Sequence, residues 1–170
     1  VIVSDYAKGC VTDALVETLK NRFGKERIIA NVKPSVDLKK YRDIRAITLN
    51  AKEGFELTRI STTTDDGAAK AALTLSNEFR TSVVLTRGEH GMTVYDREVG
   101  KTSHISSAAL SVYDVTGAGD TVVATLALTH GSGASLYQAA EMANAAAGVV
   151  VAKRGTVAIG SKELKARLFS

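Results

Sequence analysis

The 170-residue chain has one cysteine, one proline, no tryptophan and only 5% aromatic residues. With Cys10 alone, an internal disulfide framework is excluded, and so is a zinc site built on cysteines. The three histidines, His90, His104 and His130, stand at no metal-ligand spacing. Excess charge of one sign is also scarce, the formal net charge being +4. That balance does not demand a nucleic-acid partner, although it suits an anionic ligand. The basic stretches 20–27 and 39–45 carry no interleaved aromatics beyond Tyr41, so they read as solvated faces and no nucleic-acid partner is expected. Long apolar runs are missing as well. The longest, Ala143 to Ala152, is interrupted by Asn144 and closed by Lys153, too short for a membrane span. The chain opens on Val1-Ile2-Val3, without Met or a basic lead segment, which does not read as a signal peptide. It reads as the middle of a strand, and the expectation is the later part of a longer cytoplasmic protein.

What is present is ordinary for a folded chain: 45% hydrophobic residues, 24% charged residues and 14 glycines. Disorder and fibrous repeats are therefore not expected, and residues 1–170 read as one domain. Apolar runs at Val1–Val3, Arg27–Val32, Ile44–Leu49, Ser82–Thr86, Met92–Tyr95 and His104–Ile105 predict strands. Helical spacing predicts helices over Val11–Phe23, Ala51–Leu57, Gly67–Phe79 (capped at Asp65-Asp66), Gly117–Thr129, Ser135–Val151 and Ser161–Leu168. Strand and helix alternate through the first half, and its strands lack polar alternation. That pattern predicts an α/β fold with a mostly parallel sheet covered on both faces, and antiparallel strands at one edge within 83–105. In such sheets ligands bind beyond the carboxyl ends of the strands. The polar residues just after the apolar runs, Asp5, Asn31, Lys33, Asn50, Thr86 and Asp114, are therefore the ones to watch.

The sharpest segment is Asp114-Val115-Thr116-Gly117-Ala118-Gly119-Asp120-Thr121, which opens an apolar helix. Glycines at a helix start leave backbone N–H groups accessible, and the helix dipole adds partial positive charge, so the place suits an anion. A carboxylate in that nest would repel a phosphate unless it serves as a base, as phosphoryl transfer to a hydroxyl requires. The spacing equally fits a Gly-rich N-terminus with a first-turn Asp favoured by the dipole. It is not a dinucleotide fingerprint, because the third glycine of that motif is missing. Asn50 and Glu53 read from spacing as an N-cap with its capping-box partner.

The Asp-x-Thr-Gly-Ala-Gly-Asp segment resembles the C-terminal signature of the ribokinase-like (PfkB) carbohydrate kinases. Ser4-Asp5-Tyr6-Ala7-Lys8-Gly9, Asn50-Ala51-Lys52-Glu53, Thr86-Arg87-Gly88-Glu89-His90-Gly91 and Ala143-Asn144-Ala145-Ala146-Ala147-Gly148 follow the family's order. Gly155-Thr156 after a valine run and the Ser-Asp-Tyr segment also resemble the sugar-kinase domain of the bifunctional ADP-heptose synthases, which act on heptose 7-phosphate. The resemblance implies a ribokinase-like three-layer fold and ATP-dependent phosphorylation of a sugar or sugar phosphate. Asp120 would be the base, and Gly117, Ala118 and Gly119 the anion hole. Asn50 and Glu53 would organise Mg²⁺ and the phosphates, commonly through water. Thr86, Gly88, Gly91 and Thr116 would lie beside the nucleotide, and Asn144 beside adenine, with small residues letting the base approach. Thr86 to Gly91 also reads as a hairpin turn, and the alanines as tight helix packing. Lys33 stands in Asn31-Val32-Lys33-Pro34 where the heptose kinases look like Asp-Pro-Lys. Lys33 and, more weakly, Asp5 are the candidates on the sugar side.

Complete members of the family carry an N-terminal portion with most sugar-binding residues and a small β lid, and neither is in this sequence. The expectation is a nucleotide-side half that binds ATP weakly, phosphorylates nothing alone and pairs as a homodimer over its uncovered sheet edge or face. A non-catalytic nucleotide-binding or interaction module of the same fold is the alternative. The carboxylates Asp120 and Glu53 speak for the kinase.

Overall fold

Unbroken apolar runs become strands here, and the polar residues that end them collect at one rim. The computed structural model describes residues 1–109 and 111–168. Among these lie six strands, β1 (Ile2–Ser4), β2 (Ile29–Asn31), β3 (Ala46–Asn50), β4 (Ser82–Thr86), β5 (Met92–Asp96) and β6 (Lys101–Ile105). They form one sheet in chain order. β1 to β4 are parallel, and β5 and β6 continue the sheet antiparallel. Six helices accompany them: α1 (Asp13–Phe23), α2 (Ala51–Thr58), α3 (Asp65–Phe79), α4 (Ala118–Gly131), α5 (Leu136–Val151) and α6 (Ser161–Leu168).

The sheet is the middle of three layers. On one face α1 and α3 bury Val16, Leu75 and Phe79 against Ile47, Val83 and Leu85. On the other, α4 and α5 bury Leu126, Leu136 and Ala143 against Ile29, Val84 and Met92. Both faces of β3 and β4 are thus covered, so residues 46–49 and 82–85 are all buried, as an interior parallel strand requires. The expected α/β architecture is the one observed.

Local chemistry sets the helix ends. Thr12 caps α1 by accepting from the Leu15 amide at 3.2 Å, and Gly24 closes it. For α3 the cap is Thr64, which accepts from the Gly67 amide at 3.2 Å, whereas Asp65 and Asp66 occupy the first turn, where the dipole favours acids. The sheet departs from expectation at its edge. β6 begins at Lys101, three residues earlier than the apolar signal, because its polar residues pair with β5 through the backbone. The 3₁₀ turn at Leu38–Tyr41, with Leu38 and Tyr41 buried, had no periodic signal. Among the described residues no helix is long and apolar enough to cross a membrane.

Candidate functional site

The parallel register brings the carboxyl ends of β1 to β4 together. Ser4 stands opposite Asn31, Asn31 opposite Thr48, and Asn50 opposite Thr86. Beyond these ends lies a small cleft lined by Asn31, Lys33, Asn50, Glu53, Thr86 and Gly119, among others. Six residues named from sequence thus meet at one place. A wider open groove, at the other end of β5 between Asp96, Ser103 and Tyr137, contains none of them.

Asn50 ends β3 and caps α2. Its Oδ1 accepts from the Glu53 amide at 2.9 Å, and Glu53 Oε2 accepts from the Asn50 amide at 2.8 Å. The helix-cap reading of this pair is therefore realised in full. Glu53 is only 8% exposed, and its Oε1 accepts from the Lys33 ammonium at 2.6 Å. Among the described residues no cluster of three or more His, Cys, Asp or Glu assembles into a metal cage. Oxygen donors are what Mg²⁺ prefers. Because both Glu53 oxygens already accept one hydrogen bond, their chemistry fits a hydrated cation held through water rather than a stripped one.

α4 starts at the same rim. Gly117, its N-cap, adopts φ 82°, and a Cβ there would sit 3.1 Å from the Thr156 side chain. Of the expected anion hole, the Ala118 amide is engaged, donating to the Val115 carbonyl at 3.1 Å. No backbone carbonyl among the described residues accepts from the Gly117, Gly119 or Asp120 amides. The nest thus offers Gly117, Gly119 and Asp120 itself in place of Ala118. Asp120 is exposed in the first turn of α4, and its Oδ1 accepts from the Tyr6 hydroxyl at 2.7 Å. Thr116 is exposed and donates its amide to Asp114 Oδ1 at 2.9 Å, while Gly155 donates to Oδ2 at 3.1 Å. Hydrogen bonding from the Thr116 side chain first, then from the Thr116 and Gly155 amides, holds the Asp114 carboxyl below its usual range.

At three of the expected places the side chains or backbone are held by the protein's own contacts. Asp5 is 3% exposed, its Oδ1 accepts from the Ala7 amide, and its Oδ2 accepts from Tyr41 and Lys40 at 2.7 and 2.9 Å. It braces the β1 loop. Burial raises the Asp5 carboxyl, but the bonds from Tyr41, Lys40 and Ala7 outweigh it and hold the group below its ordinary value. Asn144 is buried and donates to the Ser106 carbonyl at 2.7 Å. A Cβ on Gly148 would meet the Ala108 backbone at 2.9 Å. What lies against the small residues of α5 is therefore the 106–109 segment, so at Asn144 and Gly148 the tight-packing reading holds. Gly88 and Gly91 form the turn between β4 and β5, the Arg87 amide donating to the Gly91 carbonyl at 2.7 Å. Gly91 has φ 74°, and a Cβ would fall 1.9 Å from the Ile105 carbonyl oxygen, so only glycine fits.

Two residues escaped the sequence reading. Arg87, 5% exposed, ties the Thr86 loop to the Thr62 and Thr63 carbonyls and to Asp65. Tyr6 reaches Asp120 from 114 positions away, and its sequence signals were its place just after the first strand and the Ser-Asp-Tyr segment, neither of which assigned it a role.

Comparison with known proteins gives this rim a context. The family model of pfkB family carbohydrate kinases matches residues 9–163. The "Bifunctional protein HldE" of Azorhizobium caulinodans is 40% identical over 173 residues, covering 99% of this chain and 35% of its own length. Its namesake in Halorhodospira halophila is 42% identical over 170 residues, covering 98% and 35%. The chain therefore spans about a third of the length of these relatives. Arabidopsis thaliana ribokinase, solved with ribose and ATP, superposes with a TM-score of 0.82 at 21% identity over 98% of this chain and 55% of that one. Escherichia coli phosphofructokinase-2 in complex with potassium gives 0.81 at 21% identity over 99% and 56%. These two establish a ribokinase-like fold. By the match over residues 9–163, the chain belongs to the pfkB family of carbohydrate kinases.

Proposed function

We propose that this chain carries the phosphoryl-transfer side of an ATP-dependent carbohydrate kinase whose acceptor is a sugar or sugar phosphate, resembling the heptose 7-phosphate kinases. The observation that carries the reading is Asp120. Its carboxylate stands at the N-terminus of α4 beside amides without backbone partners, and Gly119 next to it lines the cleft that holds Lys33, Asn50 and Glu53. In the reaction the acceptor oxygen bonds to the γ-phosphorus, the bond from that phosphorus to the β-phosphate oxygen breaks, and the hydroxyl proton passes to Asp120. The Gly117, Gly119 and Asp120 amides face the charge on the transferring group. Asn50 and Glu53 would hold Mg²⁺ through water, and the bound ion supplies charge neutralisation among the phosphates. Lys33, at the same rim, adds a cation suited to phosphate.

Asp120→Asn in the full-length protein tests this. It is expected to leave ATP binding intact and to lower kcat roughly 10²- to 10⁴-fold, the scale of a lost general base. Turnover is read by coupled ADP release with heptose 7-phosphate as acceptor. A variant with near-normal turnover removes Asp120 from the chemistry.

A further inference from the structure

The base is not alone at its rim. The Tyr6 hydroxyl donates to Asp120 Oδ1 at 2.7 Å, and no other side chain among the described residues is bonded to that carboxylate. The Tyr6 ring is itself gripped: Lys33 Nζ lies 5.6 Å from its centroid, within cation–π range, while the same ammonium pairs with Glu53. The loop behind Tyr6 is braced as well. Asp5 donates its amide to the Asn31 carbonyl at 2.9 Å, its carboxylate is held by Ala7, Tyr41 and Lys40, and Ala7 takes a left-handed φ of 59°. A buried anchor, a strained turn and a stacked cation thus all converge on one phenol. The strain costs free energy that a solvent-facing tyrosine with no role would not need.

We propose that Tyr6 is the positioning residue of Asp120, holding one carboxylate oxygen so that the other is presented to the acceptor hydroxyl. This rests on the reading of Asp120 as the base. Unheld, an exposed carboxylate at the first turn of a helix samples several rotamers, and most of them turn it away from the acceptor. A hydrogen bond to Oδ1 selects one orientation and leaves Oδ2 to take the proton. Lys33 keeps the ring in place and links it to Glu53, so the base and the phosphate-organising pair share one chain of contacts. The hydrogen bond also leaves a mark on the phenol: donation to Asp120, with burial secondary, raises Tyr6 above the usual tyrosine range.

Two measurements on the full-length protein decide it. In the first, tyrosine labelled with ¹³C at Cζ is titrated by NMR, the Tyr6 signal being assigned by its loss in Tyr6→Phe. Tyr6 is expected to titrate above an ordinary phenol in the wild type and to move down in Asp120→Asn. An identical titration in both proteins overturns the contact, whatever the enzyme does. In the second, kcat and KM are measured with ATP and heptose 7-phosphate. Tyr6→Phe, which keeps the ring and its stacking, is expected to lower kcat about 10-fold, the loss of one hydrogen bond to a charged group. KM for ATP stays within about two-fold, since the loss falls on the transition state. The double variant is expected to be no slower than Asp120→Asn alone, because Tyr6 acts only through that carboxylate. An unchanged or raised kcat in Tyr6→Phe, or additive losses in the double variant, overturns the inference while Asp120 remains the base. Near-normal turnover in Asp120→Asn defeats the base reading itself. If heptose 7-phosphate is not turned over by the wild type, the acceptor assignment falls and the tyrosine titration alone decides.

Discussion

Glu53 does two jobs at once, and a pair of substitutions separates them. Its Oε2 closes the capping box of α2 on the Asn50 amide, and its Oε1 takes the Lys33 ammonium. Gln has one acceptor where Glu has two. In Glu53→Gln the amide oxygen is expected to stay on the Asn50 amide, as Gln does in capping boxes, and the NH₂ group then faces Lys33. Lys33, with 30% of its side chain exposed, turns to solvent. The stability lost is that of a half-exposed ion pair, about 0.5–1 kcal/mol. Glu53→Ala loses the reciprocal cap bond as well, adding about 1 kcal/mol. A change of 1 kcal/mol moves Tm by roughly 2–4 °C for a domain of 150–250 residues. Thermal melts should therefore place Gln clearly between wild type and Ala. Both variants remove the carboxylate, so the Mg²⁺ concentration for half-maximal rate should rise about 10-fold or more in each, the usual scale for losing an outer-shell partner of a metal site. Initial rates against Mg²⁺ at fixed ATP read this out. If the Mg²⁺ dependence is unchanged in both variants while the melts follow the expected order, Glu53 is a helix cap and nothing more.

Gly91→Ala forces a Cβ to 1.9 Å from the Ile105 carbonyl oxygen at φ 74°, which should push β6 off β5 and cost about 3 kcal/mol or more. Gly88→Ala, at φ 58° with nothing within 4 Å, should cost only about 1 kcal/mol, and urea midpoints in the reverse order would refute the packing argument. Tyr41→Phe removes a donor to the buried Asp5 carboxylate, with an expected loss of about 1.5–3 kcal/mol at neutral pH. Because folding depresses the Asp5 carboxyl, its contribution is present above the unfolded value, about 3.9, and is lost as pH falls through the folded value. The acid-unfolding midpoint of Tyr41→Phe should consequently move to higher pH, and a midpoint that stays put would show that Asp5 is not stabilised by Tyr41.

Much of this molecule is written in short-range signals. The buried strands announced themselves as apolar runs, β4 from Ser82 to Thr86 without error. The start of α2 was legible at Asn50 because a capping box bonds residues three apart. The glycines and carboxylate at the start of α4 were legible because they are contiguous in the chain, and so was the turn at Gly88 to Gly91. Other elements depended on partners that no local pattern names. β6 is polar through Lys101 to His104 and exists because the β5 backbone lies beside it. Asp5 looked like a substrate residue until Tyr41, 36 positions on, proved to bury it. The small residues around Asn144 and Gly148 read as a place for close approach, and only the fold sets the 106–109 segment against them.

The deeper division lies at the rim. Residue types there were chosen by the sequence: a carboxylate in a Gly-rich helix start, an Asn-x-x-Glu box and a lysine after the second strand. Their pairing was decided by strand order and register, which place β1 beside β2 and both under α4. Only that arrangement sets Tyr6 against Asp120 and Lys33 between Tyr6 and Glu53. Caps and periodicity act over a few residues and are encoded where they act. Contacts between residues 20 or 114 positions apart come into being only when a parallel sheet, whose pairings are all non-local, has closed.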